Sequence, residues 1–217
     1  MASDNEVETE IKFFLNDPVG FENRLRALGA ECIQPRVYEQ NLRFDTVDGL
    51  LSRSRQVLRL RKDSLNRLTY KGSSKPGEQV SIRKEVEFEV SDFDAAQHLL
   101  EALGYRVVVT YEKYRTTYQM DIVEVVLDEL PYGHFVEIEG PDVKAIQVAS
   151  ALLKLDWDAR CTDSYLSLFS QLCHSQDLQA KNLTFEEFHG YSFTASDLGI
   201  KPGDSLPLWP TDHTHEH

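Results

Sequence analysis

The sequence is poor in cysteine, tryptophan and methionine, and it has no long apolar run. Its three cysteines, Cys32, Cys161 and Cys173, are an odd count without metal-site spacing, so they read as reduced thiols. No stretch approaches the ~18–20 apolar residues of a membrane-spanning helix, which excludes a transmembrane role. The opening residues MASDNEVETE are acidic and polar, unlike a signal or transit peptide, and the expected compartment is the cytoplasm. Basic charge is scarce as well: 23 Lys+Arg stand against 36 Asp+Glu, a net charge of −13. That balance disfavours a nucleic-acid partner, which needs a basic surface to neutralise phosphates. What remains, with 41% hydrophobic and 27% charged residues in 217, is the composition of an ordinary soluble globular protein. It is long enough to bury a core without staples.

The charge is unevenly spread. Between Arg53 and Lys84 the chain carries ten basic groups and only two acids, Asp63 and Glu78. From Ser175 onward it turns acidic, with seven acids against Lys181 and Lys201. A basic stretch inside an acidic protein suggests a focused anion site rather than a polyanion-binding surface.

Periods of 2 and 3.6 alternate along the chain, as in an α+β domain. Strands are expected over roughly 5–14, 31–46, 56–62, 66–71, 79–90, 106–119, 121–129 and 134–139, and helices over roughly 18–29, 92–103, 142–154 and 163–173. Pro18 and Ser91 stand at the helix starts, and Gly29 and Gly104 stand as stops after two ALG endings. The stretches EVETEIKF, KEVEFEV and FVEIEG each precede a helix, a loose internal repeat. The expected division is a main domain over 1–174 and an acidic C-terminal appendage over 175–217, whose last residues, TDHTHEH, read as a disordered tail.

Strand after strand is apolar on one face and charged on the other. Glu8, Glu10 and Lys12 oppose Val7, Thr9, Ile11 and Phe13; Arg59 and Arg61 oppose Leu58 and Leu60; Arg83, Glu85, Glu87 and Glu89 oppose Val86 and Phe88. Lys113 and Arg115 share a side, Glu124 and Asp128 oppose Val125 and Leu127, and Glu137 and Glu139 oppose Phe135, Val136 and Ile138. A sheet with one face in water is one reading. Like charges two apart on one face repel, however, and a bound cation or facing arginines would explain them. A closed barrel supplies both, with the apolar face under helices and the charged face lining a tunnel. Basic residues in such a tunnel (Lys12, Arg43, Arg59, Arg61, Lys71, Arg83, Lys113 and Arg115) suit a strongly anionic ligand. Carboxylates (Glu8, Glu10, Asp128, Glu137 and Glu139) suit a hard divalent ion. Together they specify a metal–polyphosphate complex. KGSSKPGE lacks the spacing of a P-loop, and no Cys or Ser triad is supported.

Glu8-x-Glu10-x-Lys12 resembles the ExExK signature of the CYTH superfamily, the triphosphate tunnel metalloenzymes. The resemblance runs from residue 5 to about 173 through YEQNLRFDT, VLRLRKD, LTYKG, RKEVEFEV, YEKYRTTY, VVLDELPYGHFVEIEG and SYLSLF. It implies an eight-stranded antiparallel β tunnel with helices packed outside. It further implies that Arg59, Arg61, Lys71, Lys113 and Arg115 grip a triphosphate, with Lys12 and Arg83 contributing. Glu8, Glu10, Glu137 and Glu139, with Asp128 nearby, would hold Mg²⁺ or Mn²⁺, and Glu85, Glu87 and Arg43 would support them. The wording looks most like the class IV adenylyl cyclase branch, which converts ATP to cyclic AMP and pyrophosphate. The alternative is a triphosphatase acting on inorganic tripolyphosphate or thiamine triphosphate, and the third is a non-catalytic polyphosphate or nucleotide sensor. The expected partner is thus a small triphosphate, with no membrane; a homodimer is compatible with the pattern.

Overall fold

The computed structural model describes residues 7–73 and 81–204, with side chains described from Thr9 to Ser73 and from Lys84 to Asp204. Among these residues the elements follow in the order β1 (Val7–Leu15), α1 (Pro18–Ala27), β2 (Glu31–Thr46), α2 (Leu50–Arg53), β3 (Val57–Lys62), β4 (Asn66–Lys71), β5 (Ser81–Glu89) and α3 (Phe93–Ala102). Then come β6 (Tyr105–Met120), β7 (Val123–Leu130), β8 (Gly133–Glu139), α4 (Val143–Leu152) and α5 (Tyr165–Ser175). Every strand pairing is antiparallel, in the spatial order β1-β5-β4-β3-β2-β6-β7-β8. Because β1 also pairs with β8, the sheet closes on itself and leaves no edge strand to protect.

The helices start where short polar side chains cap them. The carboxylates of Asp17, Asp92 and Asp142 accept from the backbone N–H three residues on, at 2.8–2.9 Å, and Ser164 does the same for α5. The cap of α3 is therefore Asp92, one residue past the expected Ser91. Gly29 and Gly104 follow α1 and α3 with φ of 83° and 92°, a left-handed conformation that costs glycine little.

Two helix layers cover the outside of the barrel. Phe21 and Leu25 of α1, with Ile146 and Ala149 of α4, pack on Ile11, Phe13, Tyr118, Val125, Val136 and Ile138. Phe93 and Leu100 of α3 cover Leu42, Phe44 and Leu60. Full burial of each such side chain contributes roughly 1.5–3 kcal/mol. Phe135 departs from the sequence expectation. It shares strand parity with Glu137, not with Val136 and Ile138, and packs with Phe14, Tyr132 and Tyr165 in a separate cluster.

That cluster fills one side of the barrel end. Leu168, Phe169 and Leu172 of α5 enter it, as do Leu183, Phe188, Ala195 and Leu198 from the segment that follows. Residues 178–204 run as a strap across this end. Leu183 donates to the Thr110 carbonyl at 3.0 Å and accepts from the Glu112 N–H at 2.9 Å. Gly203 donates to the Phe14 carbonyl at 2.8 Å. The Asp204 carboxylate accepts from the N–H groups of Asn16 and Asp17, at 3.0 and 2.7 Å. The expected disordered tail, TDHTHEH, lies outside the described residues.

The four-residue α2 has no counterpart in the sequence reading, being too short to show a period. It is held by Asp45, 2% exposed, which accepts from the N–H groups of Thr46, Leu51 and Ser52 and from the Ser52 hydroxyl. Burial raises the Asp45 carboxyl, but these donors outweigh it and leave it at about 2. A depressed carboxyl stabilises fully above its unfolded value, near 3.9, and loses that contribution as pH falls towards 2. Asp45→Asn should therefore cost about 2 kcal/mol at pH 7 and almost nothing at pH 2. Urea unfolding at the two pH values checks this; an equal cost at both would refute it.

Candidate functional site

The barrel encloses a cavity of about 960 Å³. Its lining is mostly ionic. Among the described residues, eight cations (Lys12, Arg43, Arg59, Arg61, Arg67, Lys71, Lys113 and Arg115) face eight carboxylates (Glu10, Glu39, Asp63, Glu85, Glu87, Glu124, Glu137 and Glu139). Alternation puts them there: on β1, β3, β5, β6 and β8, charged residues two apart and opposite the apolar face turn inward, whereas Glu89 at the end of β5 is exposed.

The charges fall into three groups. The first spans β6, β7, β8 and β1 and centres on Asp128, which is 1% exposed. Its Oδ2 accepts from Lys113 Nζ at 3.0 Å, Arg115 Nη2 at 2.6 Å and the Tyr165 hydroxyl at 2.9 Å, while Oδ1 accepts from Arg115 Nε at 2.7 Å. Arg115 Nη2 also donates to Glu137 at 2.6 Å, and Lys12 Nζ lies 3.7 Å from the same carboxylate. Burial raises the Asp128 carboxyl, but Arg115 and Lys113 dominate and hold it far below the usual carboxylate range. Burial likewise lowers Arg115, but Asp128 and Glu39 outweigh it and raise its pKa.

The second group lies on β3, β4 and β5. Arg61 is ringed by Glu87 at 3.1 Å, Asp63 at 3.3 Å and Glu39 at 3.7 Å. Thr69 donates to Glu87 at 2.7 Å, and Arg59 donates to Thr69 at 3.2 Å and to the Tyr111 hydroxyl at 3.4 Å. Lys71 pairs with Glu85 at 3.0 Å, and Arg67 pairs with Asp63 at 3.0 Å. Arg43 stands beside Arg59 in backbone register. Glu39, 1% exposed, joins the two groups, lying 3.7–3.9 Å from Arg61, Lys113 and Arg115. Burial raises its carboxyl, but Lys113, Arg115 and Arg61 bring it below the ordinary range.

The third group sets carboxylates opposite one another. Glu10 stands opposite Glu139, and Glu139 opposite Glu124, so three adjacent strands set a carboxylate on one rung. Directly opposed like charges on neighbouring strands are destabilising on their own. Their hard oxygens match a divalent cation such as Mg²⁺, although no three carboxylates among the described residues already converge on one point. Glu8 pairs with Arg83 across β1 and β5 in backbone register, but their side chains lie outside the described residues.

Of the residues expected from sequence, Lys12, Arg43, Arg59, Arg61, Lys71, Lys113 and Arg115 meet in one cavity with Glu10, Glu85, Glu87, Glu137 and Glu139. Asp128 joins them through Lys113 and Arg115. Sequence reasoning missed Glu39, Asp63, Arg67, Thr69, Tyr111, Glu124 and Tyr165. Parity alone offers Glu124, on the face of Asp128. Glu39 stands four residues before Arg43 with no register shift between them, so the parity of Arg43 offers it as well. Tyr165 lies at a helix start, where strand period carries no information.

Among solved structures, the chain is similar to a Vibrio parahaemolyticus protein described as a candidate adenylate cyclase, with TM-score 0.67 and 22% identity over 77% of this chain and 99% of that one. A Pyrococcus horikoshii protein gives TM-score 0.64 and 25% identity over 74% and 98%. A Hippeastrum protein described as a candidate adenylyl cyclase with a dominant triphosphatase activity gives 0.60 and 22% over 75% and 95%. No curated protein matches the sequence. The CYTH domain model matches residues 6–162, well over half of the chain and a range that includes all eight barrel strands. The chain belongs to the CYTH domain family.

Proposed function

We propose that this chain is a divalent-metal-dependent enzyme that hydrolyses a triphosphate bound in the tunnel. The observation that carries this reading is the equal number of cations and carboxylates among the described residues lining the cavity. A lining without excess positive charge has little attraction for a bare triphosphate, which carries about four negative charges. It suits a metal–triphosphate complex, in which arginine and lysine take phosphate oxygens and the acidic rung takes the metal.

On this reading Lys12, Arg43, Arg59, Lys71, Lys113 and Arg115 grip the phosphates, with Arg61 held among its carboxylates as a support. Glu10 and Glu139, with Glu8, Glu124 and Glu137 close in sequence or register, hold Mg²⁺ or Mn²⁺. When bound, the metal polarises phosphate oxygens and neutralises part of their charge. Asp128 and Glu39 keep Lys113 and Arg115 oriented before substrate arrives, so catalysis rests on positioning and on stabilising charge that develops in transfer.

A second reading, cyclisation of ATP, is favoured by two exposed apolar residues of the cavity lining, Ile33 and Ile122, 50% and 62% exposed and able to contact a base. The Hippeastrum neighbour is described as a candidate adenylyl cyclase with a dominant triphosphatase activity. Purified protein should be incubated with Mg²⁺ or Mn²⁺ and, separately, tripolyphosphate, thiamine triphosphate and ATP. Orthophosphate release that stops on addition of EDTA is the expected result. Cyclic AMP with pyrophosphate would select the second reading, and no turnover of any triphosphate would remove both.

A further inference from the structure

Tyr165 is the first residue of α5, just past the end of the CYTH match, and belongs to no barrel strand. It nevertheless lines the cavity. Its ring lies 5.4 Å from Nζ of Lys12 on β1 and also 5.4 Å from Nζ of Lys113 on β6. Its hydroxyl donates to Asp128 Oδ2 at 2.9 Å, the same oxygen that takes Lys113 and Arg115. The residue is itself fixed from behind: Tyr132 donates to its carbonyl at 2.9 Å, and Phe135 packs edge-on at 5.2 Å.

Lys12 and Lys113 are 4% and 2% exposed, the most buried lysines of the tunnel. Two buried ammonium groups sharing one aromatic ring repel each other. The negative face of the ring attracts both, and Asp128 holds one of them from the side.

We infer that Tyr165 is a positioning residue of the tunnel: it fixes Lys12 and Lys113 relative to each other and so determines where the most deeply held phosphate sits. The inference rests on the triphosphate reading above. It makes α5 part of the binding site, although the helix lies outside the barrel. Ring and hydroxyl have separable tasks. The ring places the lysines, which bind phosphate in ground state and transition state alike. The hydroxyl steadies Asp128, and through it the orientation of Arg115.

The test compares Tyr165→Phe and Tyr165→Leu in the full chain, by tripolyphosphate turnover with Mg²⁺ and by calorimetric binding of tripolyphosphate. Tyr165→Leu, which loses the ring, should raise KM and weaken binding about tenfold, the scale of two modest cation–π contacts. Tyr165→Phe should restore KM to near the native value while kcat stays about tenfold low, the scale of one hydrogen bond to a charged group. Native KM and binding in a folded Tyr165→Leu protein of lowered Tm would make Tyr165 a core residue only and overturn the inference. Should Tyr165→Leu not fold, native kcat in Tyr165→Phe overturns it. If the unmodified protein turns over no triphosphate, the functional reading fails by itself, and the binding measurements still decide the role of Tyr165.

Discussion

Asp128→Asn should cost roughly 3–5 kcal/mol of unfolding free energy, among the largest effects of any isosteric change in the molecule. The reason is what it leaves behind. Lys113 and Arg115 are buried beside it, and asparagine offers one neutral acceptor where two charged oxygens served four hydrogen bonds. Glu39, 3.7–3.9 Å away, is too distant to replace them. The effect has a pH signature whose sign follows from the depressed carboxyl. Asp128 contributes its full stability above the unfolded aspartate value, near 3.9, and loses it only as pH falls through its much lower folded value. The difference between native and variant protein should thus be constant from pH 5 to 8 and shrink in strong acid. Denaturant unfolding across that range measures it. A cost below ~1 kcal/mol at pH 7 would mean that the cluster is far more hydrated than its burial implies.

The second large effect has the opposite character. Glu10→Gln with Glu139→Gln should abolish metal-dependent turnover, lowering kcat by about 10³-fold or more, since metal coordination supplies several kcal/mol of charge stabilisation. Stability should hold or rise by a few tenths of a kcal/mol, because the change removes a pair of like charges set opposite each other on β1 and β8. Metal-free tripolyphosphate binding, weak in the native protein, should hold or strengthen, as two negative charges go and the cations are untouched. Unchanged turnover in the folded double variant would move the metal away from this rung; loss of turnover together with loss of metal-free phosphate binding would show that the two glutamates instead hold cations. Asp128 and Glu10 are both tunnel-side acids, yet one is expected to act through stability and the other through chemistry. The difference lies in what stands across from them: Asp128 accepts from two cations, whereas Glu10 is set opposite another carboxylate.

The strands and the inward direction of their charges were legible in sequence because period 2 is strict wherever one face is buried. Lys12, Arg59, Arg61 and Glu137 followed directly from it. Phe135 was placed on the wrong side because its apolar character was given more weight than its parity with Glu137. An aromatic residue turns inward there because α5 and the strap form a core at that end of the barrel. Glu39 shares the parity of Arg43 across an unbroken stretch of β2, so alternation offered it too. Pairing partners were not readable at all. That Arg61 meets three carboxylates while Asp128 meets two cations depends on register and stagger between strands, and a strand's own alternation holds no record of its neighbour. Tyr165 needed both the barrel and the path of the chain after it.

The strap also bears on how the chain reaches its native state. β1 pairs with β5 and β8, and the Asp204 carboxylate closes on Asn16 across 188 positions of sequence. Contacts of this separation require large loops to close before they are rewarded, which slows folding relative to a protein built from local contacts. During synthesis β1 emerges first and finds its two neighbours only after residue 84 and then residue 139 have been made. Until then it is an unpaired strand with an apolar face, Ile11 and Phe13, that α1 alone can shelter. The same closure that leaves the finished barrel without an edge makes its first strand the one that waits longest.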